Sequence, residues 1–157
     1  PSTTLDVDAR LAAAEQAYLD AFDAYIAALR DPDNPELREE IERLHTGANL
    51  EFTLEQLDQY VNQGWAATEA DEASRTVILA PPTFLPEMTN FVELVACPVN
   101  TEIIVQSGAA PDSSDALVTD EVTVRRVLVR MQNVDGQWKS DSGEVLAELA
   151  DAEGCEP

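Results

Sequence analysis

The strongest β-strand signal in the chain is Glu121-Val-Thr-Val-Arg-Arg-Val-Leu-Val-Arg-Met-Gln132, a run rich in valine. Valine packs well on a pleated sheet and is enriched in strands. Asp135-Gly136 follows, a dipeptide typical of a two-residue hairpin turn, and Gln137-Trp-Lys-Ser140 resumes the strand pattern. The sequence therefore predicts two antiparallel strands, at about 121–132 and 137–141, with Trp138 in the core.

Three further strands are predicted before this hairpin, at about 75–80, 90–97 and 101–107. Pro81-Pro82 is expected to end the first of them. Residues 108–119 are polar and rich in turn formers, so we predict an exposed connection there. Residues 144–149 fit either a last strand segment or a short helix, and we favour the extended form.

Residues 5–64 instead show the three-and-four spacing of apolar side chains that is typical of helices. The first segment is rich in alanine, and Asp31-Pro32 ends it because a residue before proline avoids helical geometry. Asn34-Pro35 supplies the cap and first-turn proline of a second helix, and a capping box at Thr53 predicts a third. The predicted helices are one long and two short, at about 5–30, 35–45 and 53–64.

Helices first and strands afterwards predict a single α+β domain over residues 5–157, after a flexible lead-in at residues 1–4. The long helix and the two short ones are expected to pack in a strongly curved, mostly antiparallel sheet. No apolar stretch reaches the roughly 18 residues that a membrane-spanning helix needs, so none is predicted.

The chain is strongly acidic, with nine basic and 31 acidic residues and a formal net charge of −22. An exposed nucleic-acid site is not expected, because phosphate binding needs clustered lysine and arginine. We interpret the acids as a solvated surface that favours a monomer or a weak homodimer. Cation binding, or mimicry of an acidic polymer, is the alternative.

Three of the basic residues lie close together on the predicted strand 121–132. Arg126 and Arg130 should share one face of that strand, and Arg125 should point to the other. We expect nearby carboxylates to be their partners, and the alternative is a small anion site.

The two cysteines predict a disulfide. Cys155 lies in a polar tail, and a bridge to Cys97 would fasten a terminus that otherwise frays, whereas two unrelated thiols are the alternative. A zinc site needs about four ligands, which two distant cysteines and one histidine do not supply. The bridge, and a start at Pro1 without methionine or leader, predict an extracytoplasmic protein that is secreted or lipid-anchored after removal of its signal region.

The order of elements resembles the cone-shaped nuclear transport factor 2-like superfamily, and more narrowly secreted actinobacterial members of it. The similar stretches are Ala24–Pro35, Thr46-Gly47-Ala48 and Val134-Asp-Gly-Gln-Trp138, and the positions of the two cysteines fit as well. The resemblance implies a bent sheet around the first helix and a pocket at the open end of the cone. It does not fix a function, because this fold carries isomerases, dehydratases, cyclases and binding modules.

For such a pocket we predict Tyr18, Tyr25 and Trp65 as lining residues, although core packing would also explain each of them. His45, the single histidine, lies at a helix end, where it can meet terminal carbonyls; a catalytic base is the alternative. Asp31-Pro-Asp33-Asn34 fits a helix stop and cap better than a calcium loop.

We predict no catalytic residue, no metal and no cofactor. The predicted function is a non-enzymatic domain that binds a small apolar ligand or a cell-envelope protein. One alternative is a small cofactor-free isomerase or dehydratase that uses the cone pocket. The other is an acidic-surface mimic or cation-binding protein.

Overall fold

A computed structural model describes residues 4–156 of the chain. Three helices come first: α1 (Thr4–Arg30), α2 (Pro35–Leu44) and α3 (Gly47–Gln63). Seven strands and a 3-10 turn follow: β1 (Trp65–Thr68), β2 (Arg75–Leu85), β3 (Met88–Asn100), β4 (Ile103–Gln106), β5 (Ala116–Thr119), β6 (Thr123–Val134), β7 (Gln137–Leu149) and η1 (Ala152–Cys155). The predicted α+β class is confirmed. Residues 1–3 of the predicted lead-in lie outside the described residues, and Thr4 already belongs to α1.

The second helix begins at the predicted cap. The Asn34 side chain accepts hydrogen bonds from the backbone N–H groups of Glu36 and Leu37, at 3.0 and 3.3 Å. Proline occupies the first turn, where its missing N–H costs no hydrogen bond.

The third helix begins at Gly47 and not at Thr53, which is buried inside it. The short linker before it is fixed by the sheet, because Thr46 N donates to Ser140 O at 2.9 Å and His45 forms a parallel bridge with the same residue. Gly47 has φ of +53°, and a Cβ there would collide with the Asp141 side chain. A close approach to β7, invisible in the local sequence, therefore sets the start of α3.

The strands form two antiparallel sheets, where the sequence pattern predicted one. The larger has the order β2-β3-β6-β7, and the smaller has the order β1-β4-β5. The chain changes sheets between Asn100 and Ile103, so the predicted strand at 101–107 is shorter, and Thr101 and Glu102 are buried in the turn.

Three strands of the larger sheet run further than predicted. β2 continues through Pro81-Pro82 because it is an edge strand, where prolines are tolerated, and its register shifts there. β3 lengthens at both ends. β7 continues to Leu149 with two register shifts, so the extended form favoured for residues 144–149 is confirmed.

The two faces of the larger sheet have different roles. Val92, Leu94 and Ala96 of β3 pack with α1 residues and with Trp138, which is 5% exposed and in the core as predicted. On the opposite face, Cys97 is bonded to Cys155, with their Cα atoms 5.6 Å apart. The predicted disulfide is confirmed, and it holds η1 over the outer face beside Val99 and Val124.

Candidate functional site

A pocket of about 240 Å³ lies between the helices and the inner face of the larger sheet. Helix α1 lies on one side, the start of α3 on another, and strands β3, β6 and β7 form the floor. Its walls are Tyr18, Ala21, Phe22, Tyr25, His45, Asn49, Phe52, Thr53, Pro98, Asn100, Thr123, Arg125, Val127, Val129, Ser140 and Gly143.

The apolar part of the pocket is built by two periodicities. Tyr18, Phe22 and Tyr25 recur at helical spacing, so one stripe of α1 faces the sheet. Val127 and Val129 are two apart on β6 and therefore share its inner face. The result is a concave wall of aromatic rings and methyl groups.

The two tyrosine hydroxyls already have partners inside the protein. The Tyr18 hydroxyl and Thr76 Oγ1 are 2.8 Å apart, and the Tyr25 hydroxyl donates to Gln56 Oε1 at 2.9 Å. Burial raises the pKa of both Tyr18 and Tyr25 to about 12. Both residues therefore stay neutral at physiological pH and serve the pocket mainly as aromatic surface.

Trp65 lies elsewhere and is not among the residues that line this pocket. It begins β1 and packs edge-on against Tyr60, with ring centroids 5.9 Å apart, in the cluster beneath the smaller sheet. The left-handed Gly64 turns the chain away from α3 just before Trp65, so the indole is carried to the second sheet. The three predicted lining residues are thus not brought together.

His45 caps the C-terminal end of α2 and lines the pocket. Its side chain is 6% exposed, and Nδ1 lies 3.1 Å from the carbonyl oxygen of Ile41. A carbonyl only accepts, so Nδ1 carries the hydrogen and Nε2 is left as an acceptor. Burial lowers the pKa of His45, which keeps the imidazole neutral. Helix capping accounts for Nδ1, and Nε2 has no partner among residues 4–156.

Arg125 is the one charged residue among the described pocket walls. It pairs loosely with Glu148, with Nε 3.4 Å from Oε1, and both side chains are well exposed. Arg126 and Arg130 lie on the other face of β6: Arg126 donates to Gly154 O, and Arg130 pairs with Glu93 at 2.7 Å. The predicted division of the three arginines between two faces is confirmed. Carboxylates were expected as partners of all three, and Arg125 and Arg130 have them, but Arg126 binds a backbone carbonyl instead.

Sequence reasoning missed most of the α3 and β7 contributions to the pocket. Asn49 Nδ2 donates to Ser140 Oγ at 2.8 Å and so joins α3 to β7. Phe52, one turn further, is 62% exposed at the mouth. Their spacing of three along one helix was a usable signal, but only once α3 is known to begin at Gly47.

The Asp31–Asn34 segment ends one helix and begins the next. Asn34 Nδ2 donates to Asp31 Oδ2 at 3.0 Å while Asn34 Oδ1 caps α2, as the helix-stop interpretation predicted.

Between residues 4 and 156, no three metal-ligating side chains come close enough together to hold a metal ion. In the same part of the chain, none of the helices combines the length and the apolar character needed to cross a bilayer.

No protein-family model matches the chain, and no curated protein matches it. Among solved structures, the crystal structure of the intermembrane space region of the chloroplast protein ARC6 is similar. It aligns with 84% of this chain and 95% of its own, with a TM-score of 0.51 and 12% identity. A solution structure of a de novo designed β-sheet protein aligns with 87% of this chain and 89% of its own, with a TM-score of 0.37 and 14% identity. At 12% identity, the similarity to the ARC6 region concerns the fold alone.

Proposed function

We propose that this protein is an extracytoplasmic binding domain that holds a small, largely apolar ligand between α1 and the larger sheet. The observation that carries the proposal is the pocket of about 240 Å³, walled by aromatic and aliphatic side chains. Ligand sites are typically concave and apolar, with a few polar groups that orient the ligand. We also propose membership of the nuclear transport factor 2-like superfamily, on the order of elements and the position of this pocket.

Binding is favoured over catalysis by the chemistry of the walls. No aspartate or glutamate is among the described lining residues, and both tyrosine hydroxyls are hydrogen-bonded to neighbouring side chains.

The extracytoplasmic compartment is supported by the Cys97–Cys155 disulfide, because such bonds persist in oxidising environments. Alkylation in urea without reductant should leave both cysteines unmodified, because the unfolded chain exposes them and only the bond protects them.

The test is titration with neutral apolar probes, toluene and 1-octanol, followed by NMR chemical shifts. Val127→Phe should fill the pocket and abolish the shifts. Leu128→Phe is the matched control, because Leu128 is the next residue along the strand and its side chain lies on the outer face, away from the pocket. Equal binding by both variants, or no binding by the unaltered protein, would contradict the proposal.

A cofactor-free lyase or isomerase is the second candidate, and His45 is the observation that favours it. A neutral, buried imidazole with a free Nε2 in an apolar pocket has the form of a general base. The probe is 5-nitrobenzisoxazole, whose ring opens when a base removes its carbon-bound proton. Turnover that disappears in His45→Gln, with toluene binding retained, would support an enzyme, and turnover equal to that in buffer would exclude this role for His45.

A further inference from the structure

We propose that the ligand of this pocket is a small carboxylic acid, whose carboxylate binds the Arg125 guanidinium and whose apolar part lies along Val127 and Val129. This inference rests on the proposed function and specifies its ligand class. It starts from charge: in a chain with a net charge of −22, the one charged group among the described pocket walls is a cation.

The Arg125 guanidinium is available to a ligand. Among the described arginines, it is the one whose Nη atoms make no hydrogen bond within the protein. Its contact with Glu148 is 3.4 Å long, through Nε, and both partners are exposed, so it contributes little. By contrast, Arg30 is held at both Nε and Nη2 by Glu102, at 2.9 and 2.8 Å.

The position of Arg125 defines how a ligand would lie. Thr123, Arg125, Val127 and Val129 alternate along β6 and share its inner face. Arg125 and Val129 are four positions apart along the strand, or about 13 Å, so the cation and the innermost valine mark the two ends of an elongated site. Val129 also belongs to the core cluster beneath α1, which makes that end the dry one.

Charge and shape favour a carboxylate over other anions. The planar guanidinium fork matches the two oxygens of a carboxylate. One cation can balance one negative charge, whereas a doubly charged phosphate would face an acidic protein with no second cation among the described walls. The neutral side chains of Thr123 and Asn100 lie beside Arg125 and can add hydrogen bonds.

The volume sets the size of the apolar part. An apolar cavity of about 150 Å³ holds benzene, and the pocket here is about 240 Å³. A single ring with a short side chain, or a medium-length acyl chain, would fill it. Octanoate and 3-phenylpropanoate are the probes that match.

The experiment compares octanoate, 1-octanol and octylamine by calorimetry, on the unaltered protein and on Arg125→Gln. Octanoate should bind more tightly than the other two. Arg125→Gln should weaken octanoate binding roughly ten- to a hundredfold and should weaken 1-octanol binding far less, because the alcohol carries no charge. Arg130→Gln is the matched control, an arginine on the outer face of the same strand, and should change nothing.

The outcomes separate this inference from the proposed function. If 1-octanol binds but octanoate does not, or if Arg125→Gln and Arg130→Gln bind octanoate alike, the carboxylate assignment is overturned while pocket binding stands. If neither octanoate, 1-octanol nor toluene binds, both the assignment and the proposed function fail.

Discussion

Arg30 and Glu102 form a two-pronged ion pair in which the carboxylate side chain is completely buried. Nε and Nη2 of Arg30 donate to the two carboxylate oxygens at 2.9 and 2.8 Å, and Ser74 Oγ adds a third bond at 3.0 Å. The pair connects the end of α1 to the turn where the chain passes from the larger sheet to the smaller one. It therefore fixes the helix against both sheets.

Arg30→Ala is expected to destabilise the fold, because it leaves a buried carboxylate without its cation. The loss should be about 3 kcal/mol, at the lower end of the range for such pairs, since Arg30 itself is 37% exposed. Urea unfolding measures it. Arg43→Ala, which breaks the exposed Arg43–Glu40 pair, should cost less than about 0.5 kcal/mol. Similar losses of unfolding free energy for the two variants would show that the buried Arg30–Glu102 pair stabilises the fold no more than an exposed pair does.

The disulfide should contribute on the order of 4 kcal/mol, because it closes a loop across a sequence separation of 58. Cys155→Ser and Cys97→Ser should lower the free energy of unfolding by similar amounts. The double variant should lose no more than either single one, since each change removes the same bond. Urea unfolding with and without reductant checks this, and an unaltered protein insensitive to reductant would contradict it.

Local signals explain most of what the sequence predicted correctly. The hairpin at Asp135-Gly136 is a two-residue turn with positive φ at both positions, 53° and 88°, which that dipeptide favours on its own. The cap at Asn34 likewise depends only on its neighbours. The disulfide could be predicted because burial in a core does not explain a cysteine in a polar tail, whereas a bond to Cys97 does.

The parts that were missed depend on contacts distant in the sequence. The start of α3 follows from Thr46 meeting Ser140, and β1 and β5 are four-residue strands that exist only by pairing with β4. For the site, the alternation of side chains along β6 predicts correctly that Arg125 lies on the opposite face from Arg126 and Arg130. That face becomes a pocket wall only because α1 and α3 lie over it, which no local pattern encodes.

All three tyrosines of the chain should ionise late. Burial raises the pKa of Tyr18 and Tyr25 to about 12 and raises that of Tyr60 as well. Because the unfolded chain loses these protons near pH 10 while the folded one retains them, stability should fall as pH rises above about 10. Ultraviolet absorbance of tyrosinate should stay low in the native protein at about pH 10.5 and appear on adding urea. Ordinary titration in the folded state would contradict the burial of these rings.

Gly47→Ala should destabilise more than Gly64→Ala. Both glycines have positive φ, +53° and +67°, so each substitution costs about 1–2 kcal/mol in backbone strain. A Cβ on Gly64 meets nothing within 4 Å, whereas one on Gly47 collides with Asp141. The difference between the two variants in urea therefore isolates the close approach of α3 to β7, and equal losses would mean that Asp141 moves aside freely.

His45 should make the protein less stable in mild acid. Burial lowers its pKa in the folded state, so the unfolded chain takes up a proton first as pH falls through about 6.5. The contribution of the neutral imidazole is complete above that pH and is lost progressively below it. The free energy of unfolding should be measured at about pH 7.5 and 5.5 for the unaltered protein and for His45→Gln. Carboxylates titrate alike in both, so the difference between their slopes reports His45, and parallel slopes would show that its imidazole is already protonated or freely hydrated.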